Sequence, residues 1–177
     1  SGNSNMTSLN ISDCPTLKTI YCINTGLLEL DLRNCTALET LEGQENSQLT
    51  SLNVSGLKNL KYLRCRSNPL MTDLDISGCT ELKELRCWRT AITSLDVSGF
   101  DTSNVTNMDS MFQSSDALKT IYVSKSWSTA KVDPTTEMFK MCLSLVGGNG
   151  TKYDSNKITA TYACVDTPSK KGYLTLM

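Results

Sequence analysis

One spacing constrains this chain more than any other feature: a leucine returns every 21 or 22 residues and brings its neighbours with it. Leu9, Leu30, Leu52, Leu74 and Leu95 are each followed by Asn or Asp and then by Ile11, Leu32, Val54, Ile76 or Val97. A second frame runs between them: Leu17-Lys-Thr-Ile20-Tyr-Cys22, Leu38-Glu-Thr-Leu41-Glu-Gly43, Leu60-Lys-Tyr-Leu63-Arg-Cys65 and Leu82-Lys-Glu-Leu85-Arg-Cys87. Three residues further stand Thr25, Asn46, Asn68 and Thr90, then Leu27, Leu49, Leu70 and Ile92. Self-similarity at this period marks a solenoid. No unit can bury its apolar edge alone, so the units must stack.

The frame is that of a leucine-rich repeat, with Cys in the third apolar slot. Alternation at period 2 predicts strands. They are expected near 8–11, 18–23, 29–32, 40–43, 51–54, 61–65, 73–76, 84–87, 94–97 and 119–123. A terminal pair is expected at 157–164 and 171–176, after the Gly147-Gly-Asn-Gly150 turn. Met108, Met111 and Phe112 recur at helical spacing, which predicts short helical turns over 105–114, with another over 135–142. The fold expected is a right-handed leucine-rich-repeat solenoid of short parallel strand ladders with few helical turns and a C-terminal β cap. It forms one domain, 1–177: repeats over 1–99, a divergent dialect over 100–145 and the cap over 146–177.

These residues resemble the leucine-rich repeats of BspA-like bacterial surface proteins. The second dialect adds to the likeness. Phe100-Asp-Thr-Ser-Asn-Val-Thr-Asn-Met-Asp-Ser-Met-Phe112 resembles the Asp-Thr-Ser-Asn-Val-Thr-x-Met-x-x-Met-Phe signature of a surface repeat first described in mycoplasma lipoproteins. It returns in degraded form with Trp127, Val132 and Met138-Phe139. The resemblance implies export with the leader removed, a cell-surface or secreted location, and a role in adhesion or recognition. It brings no catalytic residues with it.

Composition narrows the chemistry. Seventeen basic residues face 18 acidic ones, so no global field draws the chain to nucleic acid or an anionic membrane. No apolar run is long enough to span a bilayer. There is no histidine, which removes the commonest general base and zinc ligand. No cofactor, metal or enzymatic activity is expected. The pattern lacks a paired Cys-x-x-Cys, a Gly-Lys-Ser/Thr phosphate loop and a calcium-loop spacing of acids. Six Asn-x-Ser/Thr sequons, at Asn5, Asn10, Asn34, Asn53, Asn104 and Asn149, read as turn chemistry.

Eight cysteines in an exported chain raise the question of disulfides. Cys22, Cys65 and Cys87 share one slot, in which Gly43 also stands. Cys14, Cys35 and Cys79 share another with Leu57. Exchange with Leu and Gly points to packing by a small hydrophobe. Stacked neighbours project in parallel about 4.8 Å apart, which suits the disulfide torsion poorly. Free buried thiols are therefore expected in both columns, with a bridge between Cys142 and Cys164 left open.

Outward positions of the second strands form columns: Thr19, Thr40, Tyr62, Glu84; then Tyr21, Glu42, Arg64, Arg86; then Ile23, Gln44, Arg66, Trp88. Tyr62, Arg64, Arg66, Arg86, Trp88 and Arg89 therefore share a face. Tyr, Trp and Arg are the types enriched at binding hot spots. They are the candidate ligand-binding residues for a host or bacterial surface protein or glycan, in a module expected to be monomeric. The competing reading is a spacer repeat without its own ligand.

Overall fold

The computed structural model describes residues 1–11, 14–103 and 105–177; the sequon asparagine Asn104 lies outside the described residues. The leucine frames become strands of three or four residues. β1 (Thr19–Tyr21), β3 (Thr40–Glu42), β5 (Tyr62–Arg64) and β7 (Glu84–Arg86) alternate with β2 (Glu29–Asp31), β4 (Ser51–Asn53), β6 (Asp73–Asp75) and β8 (Ser94–Asp96). β9 (Thr120–Val123) and β10 (Leu174–Leu176) follow. β1-β3-β5-β7 form one parallel sheet, β2-β4-β6 a second, and β8-β9-β10 a third. Parallel neighbours cannot be joined by a tight hairpin. Each passage therefore crosses to the other wall and returns, and the chain is a parallel-strand solenoid of about five turns with almost no helix.

Register follows the leucine spacing. Ile20, Leu41, Leu63 and Leu85 lie opposite one another on the first wall, and Leu30, Leu52 and Leu74 on the second. All seven point inward and are buried. Their sequence neighbours point outward, which leaves both walls with polar outer faces.

The corner after each first-wall strand is built by polar side chains. Asn24, Glu45, Ser67, Arg89, Ser114 and Met141 have left-handed φ values between 51° and 63°, and each precedes one member of the column Thr25, Asn46, Asn68, Thr90, Ser115, Cys142. The left-handed conformation costs a non-glycine residue roughly 1–2 kcal/mol. At two of these corners buried amides hold it in place. Asn46 Nδ2 donates to Cys22 O and Gly43 O (2.8 and 2.9 Å), and its Oδ1 accepts from Thr25 N (2.7 Å). Asn68 Nδ2 donates to Gly43 O and Cys65 O (2.9 and 2.8 Å), and its Oδ1 accepts from Asn46 N (2.8 Å). Each amide thus closes its own corner and clamps the one before it.

The two dialects meet without a break in these columns. Three residues before each corner stand Cys22, Gly43, Cys65, Cys87, Phe112 and Phe139. The corner-to-corner spacing rises from 22 residues (68 to 90) to 25 (90 to 115) and 27 (115 to 142). A longer turn encloses more space, and close packing requires it to be filled. Thiols give way to phenyl rings: Phe112 stacks on Phe139 at 5.8 Å, and Tyr173 meets Phe139 edge-on at 5.2 Å. The other column, Cys35, Leu57, Cys79, passes to Phe100, which meets Trp127 at 6.4 Å.

Three expectations are corrected. Segment 8–11 is not a strand; Leu9 and Ile11 pack on the core only partly buried. Segments 105–114 and 135–142 are chains of turns, not helical turns. Their backbone is drawn into the wall instead, with Cys87 N donating to Met111 O and Phe112 N to Met138 O. The first terminal strand is a 3-10 turn, Ala160–Tyr162, beside a single bridge between Glu137 and Thr159. Pairing to the wall continues only through β10, in register with β9.

A buried carboxylate missed in the sequence closes the cap. Asp166 Oδ2 accepts from the amides of Asn149 and Thr151 (both 2.9 Å), while Oδ1 accepts from Thr151 Oγ1 at 2.7 Å. Gly147 is required beside it, because a β-carbon there would stand 2.3 Å from Gly172 O and 2.7 Å from the Asp166 carboxylate. Burial alone pushes the Asp166 carboxyl up; the bonds from Thr151, Asn149 and Gly172 outweigh it and hold the group below its ordinary value of 3.8.

Two outcomes are expected. Asn68→Ala leaves the Asn46 amide and the Gly43 and Cys65 carbonyls short of a partner, at a cost of about 2 kcal/mol or more. Urea unfolding should show this as a lowered midpoint, and an unchanged midpoint would refute the clamp. A depressed carboxyl stabilises fully above its unfolded value and loses that contribution as pH falls through its folded value. Cap amides 149 and 151 should therefore lose exchange protection below about pH 4. In Asp166→Asn that acid step should vanish, with protection already reduced at neutral pH.

Candidate functional site

The six candidate residues are placed by β5, β7 and the corner after each. Strand register sets Tyr62 beside Glu84, and Arg64 between Glu42 and Arg86, on the outer face of the first wall. Arg66 and Trp88 lie two residues beyond their strands, and Arg89 occupies the left-handed corner position at φ 54°.

Side-chain contacts divide this face into three parts. In the middle, Arg64 Nη1 donates to Glu42 Oε1, while Nε and Nη2 reach the two Glu84 oxygens at 2.6 and 3.2 Å. Arg86 Nε shares Glu84 Oε1 at 2.8 Å. Glu42 is only 9% exposed and also accepts from Gln44 Nε2 at 3.0 Å. Hydrogen bonding to Glu84 raises the Arg64 pKa, and the same bond lowers that of Glu84. Both arginines are thus engaged by carboxylates of their own wall.

On one side lies a hollow of 420 Å³ lined by Glu45, Ser47, Arg66, Pro69, Trp88 and Arg89. The Arg66 guanidinium stands over the Trp88 ring, 5.1 Å from its centroid, and pairs with Glu45 at 3.0 Å. Arg89 is exposed and has no ion-pair partner among the described residues. On the other side, Tyr62 lines a separate hollow of 330 Å³ with Leu82, Glu84, Val105 and Asn107. Six residues that share a face in the sequence therefore separate into an internally paired cluster (Arg64, Arg86), a tryptophan hollow (Arg66, Trp88, Arg89) and a lone tyrosine.

Glu45 and Ser47 were not picked out from the outward columns. Glu45 precedes Asn46, so its place in the corner column was visible; its reach toward Arg66 depends on the left-handed turn.

The remaining reactive groups are thiols, and their surroundings set what they can do. All eight are free, and six are buried. Burial pushes Cys22 and Cys79 up to about 11, and Cys65 and Cys142 up to about 12. The thiol rather than the nucleophilic thiolate persists at neutral pH. Cys35, Cys79, Cys87 and Cys142 donate to the carbonyls of Ile11, Val54, Met111 and Phe112. Cys142 occupies the corner column after Ser115; it and Cys164 are both free, each donating to its own carbonyl, Phe112 O and Lys171 O. No group of three or more metal-ligating side chains occurs among the described residues.

The protein family described as "Mycoplasma protein of unknown function, DUF285" matches residues 64–171. No curated protein matches the chain. A solved structure, "Functional domain of InlJ from Listeria monocytogenes includes a cysteine ladder", is similar at 20% identity and a TM-score of 0.25, covering 79% of this chain and 36% of that one. The chain spans about a third of that structure's length.

Burial of the thiols predicts their reactivity. In the native protein at pH 8, dithionitrobenzoate should react readily with at most the two half-buried thiols, Cys14 and Cys164, and with all eight after denaturation. Rapid native reaction of more than two would contradict the packing described.

Proposed function

This chain belongs to the DUF285 family, and from that premise we propose that it is a non-enzymatic recognition or adhesion module of a bacterial surface or secreted protein. Its ligand is a protein or glycan bound on the outer face of the first wall. The observation that carries this reading is the tryptophan hollow. Trp88 is stiffened by Arg66 on its ring, and beside it Arg89 holds an exposed charge with no ion-pair partner among the described residues. An indole offers a flat surface to a sugar ring or a planar side chain. A guanidinium next to it suits a carboxylate or carbonyl. Arg64 and Arg86 stiffen the floor, since their charges are already answered by Glu42 and Glu84.

The paired cluster also favours a second reading, a spacer that neutralises its own face and binds nothing. A glycan array and a binding screen against host extracellular proteins separate the two. For any ligand found, Trp88→Ala with Arg89→Glu should weaken binding by tenfold or more, as about 2 kcal/mol at a hot spot implies. Tyr62→Ala should change it little. Equal binding by the tryptophan variant would place the ligand elsewhere, and absence of any ligand would favour the spacer.

A further inference from the structure

Two arginines and one carboxylate line the tryptophan hollow, whereas the cluster beside it sets Arg64 and Arg86 against Glu42 and Glu84. The hollow is therefore left with an excess of positive charge. Its lone carboxylate is that of Glu45, 3.0 Å from Arg66, on a side chain that is 47% exposed. An ion pair so open to water holds weakly. Arg66 has a second hold, because its guanidinium stands over the Trp88 ring. A cation on an aromatic face needs no carboxylate to keep it there. Glu45 can thus leave without releasing Arg66 from the hollow.

The backbone around the hollow is already engaged. The amides of Glu45, Ser67 and Arg89 donate to Arg66 O, Trp88 O and Gln113 O of neighbouring turns. Pro69, the next residue of the lining, has no amide hydrogen. An extended peptide, which is held largely through main-chain hydrogen bonds, finds no backbone donor on these four residues. A sugar ring needs none. It rests its C–H face on the indole, whose body is apolar, and meets the guanidiniums through a charged substituent.

Taking the tryptophan hollow as the binding site, the reading made under Proposed function, we propose that its ligand is a glycan whose sugar ring carries a carboxylate, a uronate or a sialate, and that Glu45 holds the place of that carboxylate in the free protein. The ring lies against Trp88. Its carboxylate displaces Glu45 and is held by Arg66 together with Arg89, which has no ion-pair partner among the described residues. Guanidinium and carboxylate make the strong, charge-assisted class of hydrogen bond. Glu45 also sets the selectivity. A neutral sugar offers Arg66 nothing in exchange for Glu45, and an acidic one does, so the resting pair acts against the neutral ligand.

The test titrates the whole chain with trigalacturonate and with sialyllactose, which distinguish the two sources of carboxylate. Their neutral counterparts, the methyl ester of trigalacturonate and lactose, keep the rings and remove the charge. An acetylated, amidated Asp-Glu repeat peptide supplies carboxylates without a sugar. At least one acidic sugar should bind and move the Trp88 indole N–H resonance, and its neutral counterpart should bind about tenfold more weakly or worse. Arg89→Gln should weaken the acidic sugar by about tenfold or more. Glu45→Gln should tighten it by about threefold, the scale of an exposed ion pair, and leave the neutral sugar unchanged. Tyr62→Ala should alter neither, and all these variants should keep the unfolding midpoint of the parent. Failure of both acidic sugars to bind, equal binding of the neutral ones, or tighter binding of the acidic peptide would each overturn the proposal, the last in favour of a protein partner. A ligand lost with Trp88→Ala yet indifferent to Glu45→Gln and Arg89→Gln would overturn it while leaving the hollow as the binding site. Acidic sugar bound equally by Trp88→Ala would overturn both.

Discussion

Every turn of this coil has to reverse direction at the same depth, and in the middle turns the buried amides of Asn46 and Asn68 impose that reversal. A carboxamide can donate twice and accept at its oxygen. Here it donates to a carbonyl of its own turn and to one of the turn before, and accepts the amide of the preceding corner residue. At these two corners the left-handed residue ahead, Glu45 or Ser67, persists because these bonds over-determine it. Strand register on both walls follows, since the corners set the phase of each passage. Without in-register strands the leucines would not face one another, and the core would not exist.

The same geometry explains how two different sequence dialects make one molecule. The corner column and the column three residues before it run unbroken from the leucine repeats into the Met-Phe repeats. What changes is turn length, and the interior fills accordingly: small thiols where turns are 22 residues, phenyl and indole rings where they reach 25 or 27. The cysteines are thus read best as volume. Burial raises the pKa of Cys22, Cys65, Cys79, Cys87 and Cys142 and suppresses their reactivity, which is the behaviour of a packing residue and the opposite of a nucleophile. At the far end, Asp166 gathers the loop of Gly147 and the segment before β10.

Regularity also makes every departure from it conspicuous. A perfect solenoid presents polar rows that answer one another, as Glu42, Arg64, Glu84 and Arg86 do. Departures stand out against that background. One is Trp88 with Arg66 and Arg89, where a large ring and a charge with no ion-pair partner among the described residues replace small polar groups. The other is the second wall, where no strand pairing joins β6 to β8 and β8 pairs with β9. The first is a matter of side chains, the second of strand pairing.

Much of this was legible in the sequence. Leucines at 21 and 22 residues determine strand existence, register and the inward face, because a strand's side chains alternate with period two and a solenoid repeats them in phase. The exchange of Cys with Leu and Gly revealed the thiol columns, and the outward columns correctly set Arg64 between Glu42 and Arg86. Other features were beyond such reading. Arg64 and Arg86 looked available because composition shows charge and not who answers it; only the distances to Glu84 show that it is taken. Met108, Met111 and Phe112 repeat at helical spacing, yet their backbone continues a wall, since the neighbouring turn supplies hydrogen-bond partners that a local pattern cannot see. Asp166 is one aspartate among many until the fold brings Asn149 and Thr151 to it from 17 and 15 residues away. The sequence by itself determined the repeating local geometry, because periodicity is a local property. Tertiary structure alone decided which charges are spent, how the cap is held and where strand pairing lapses, because each depends on contacts between turns far apart in the chain.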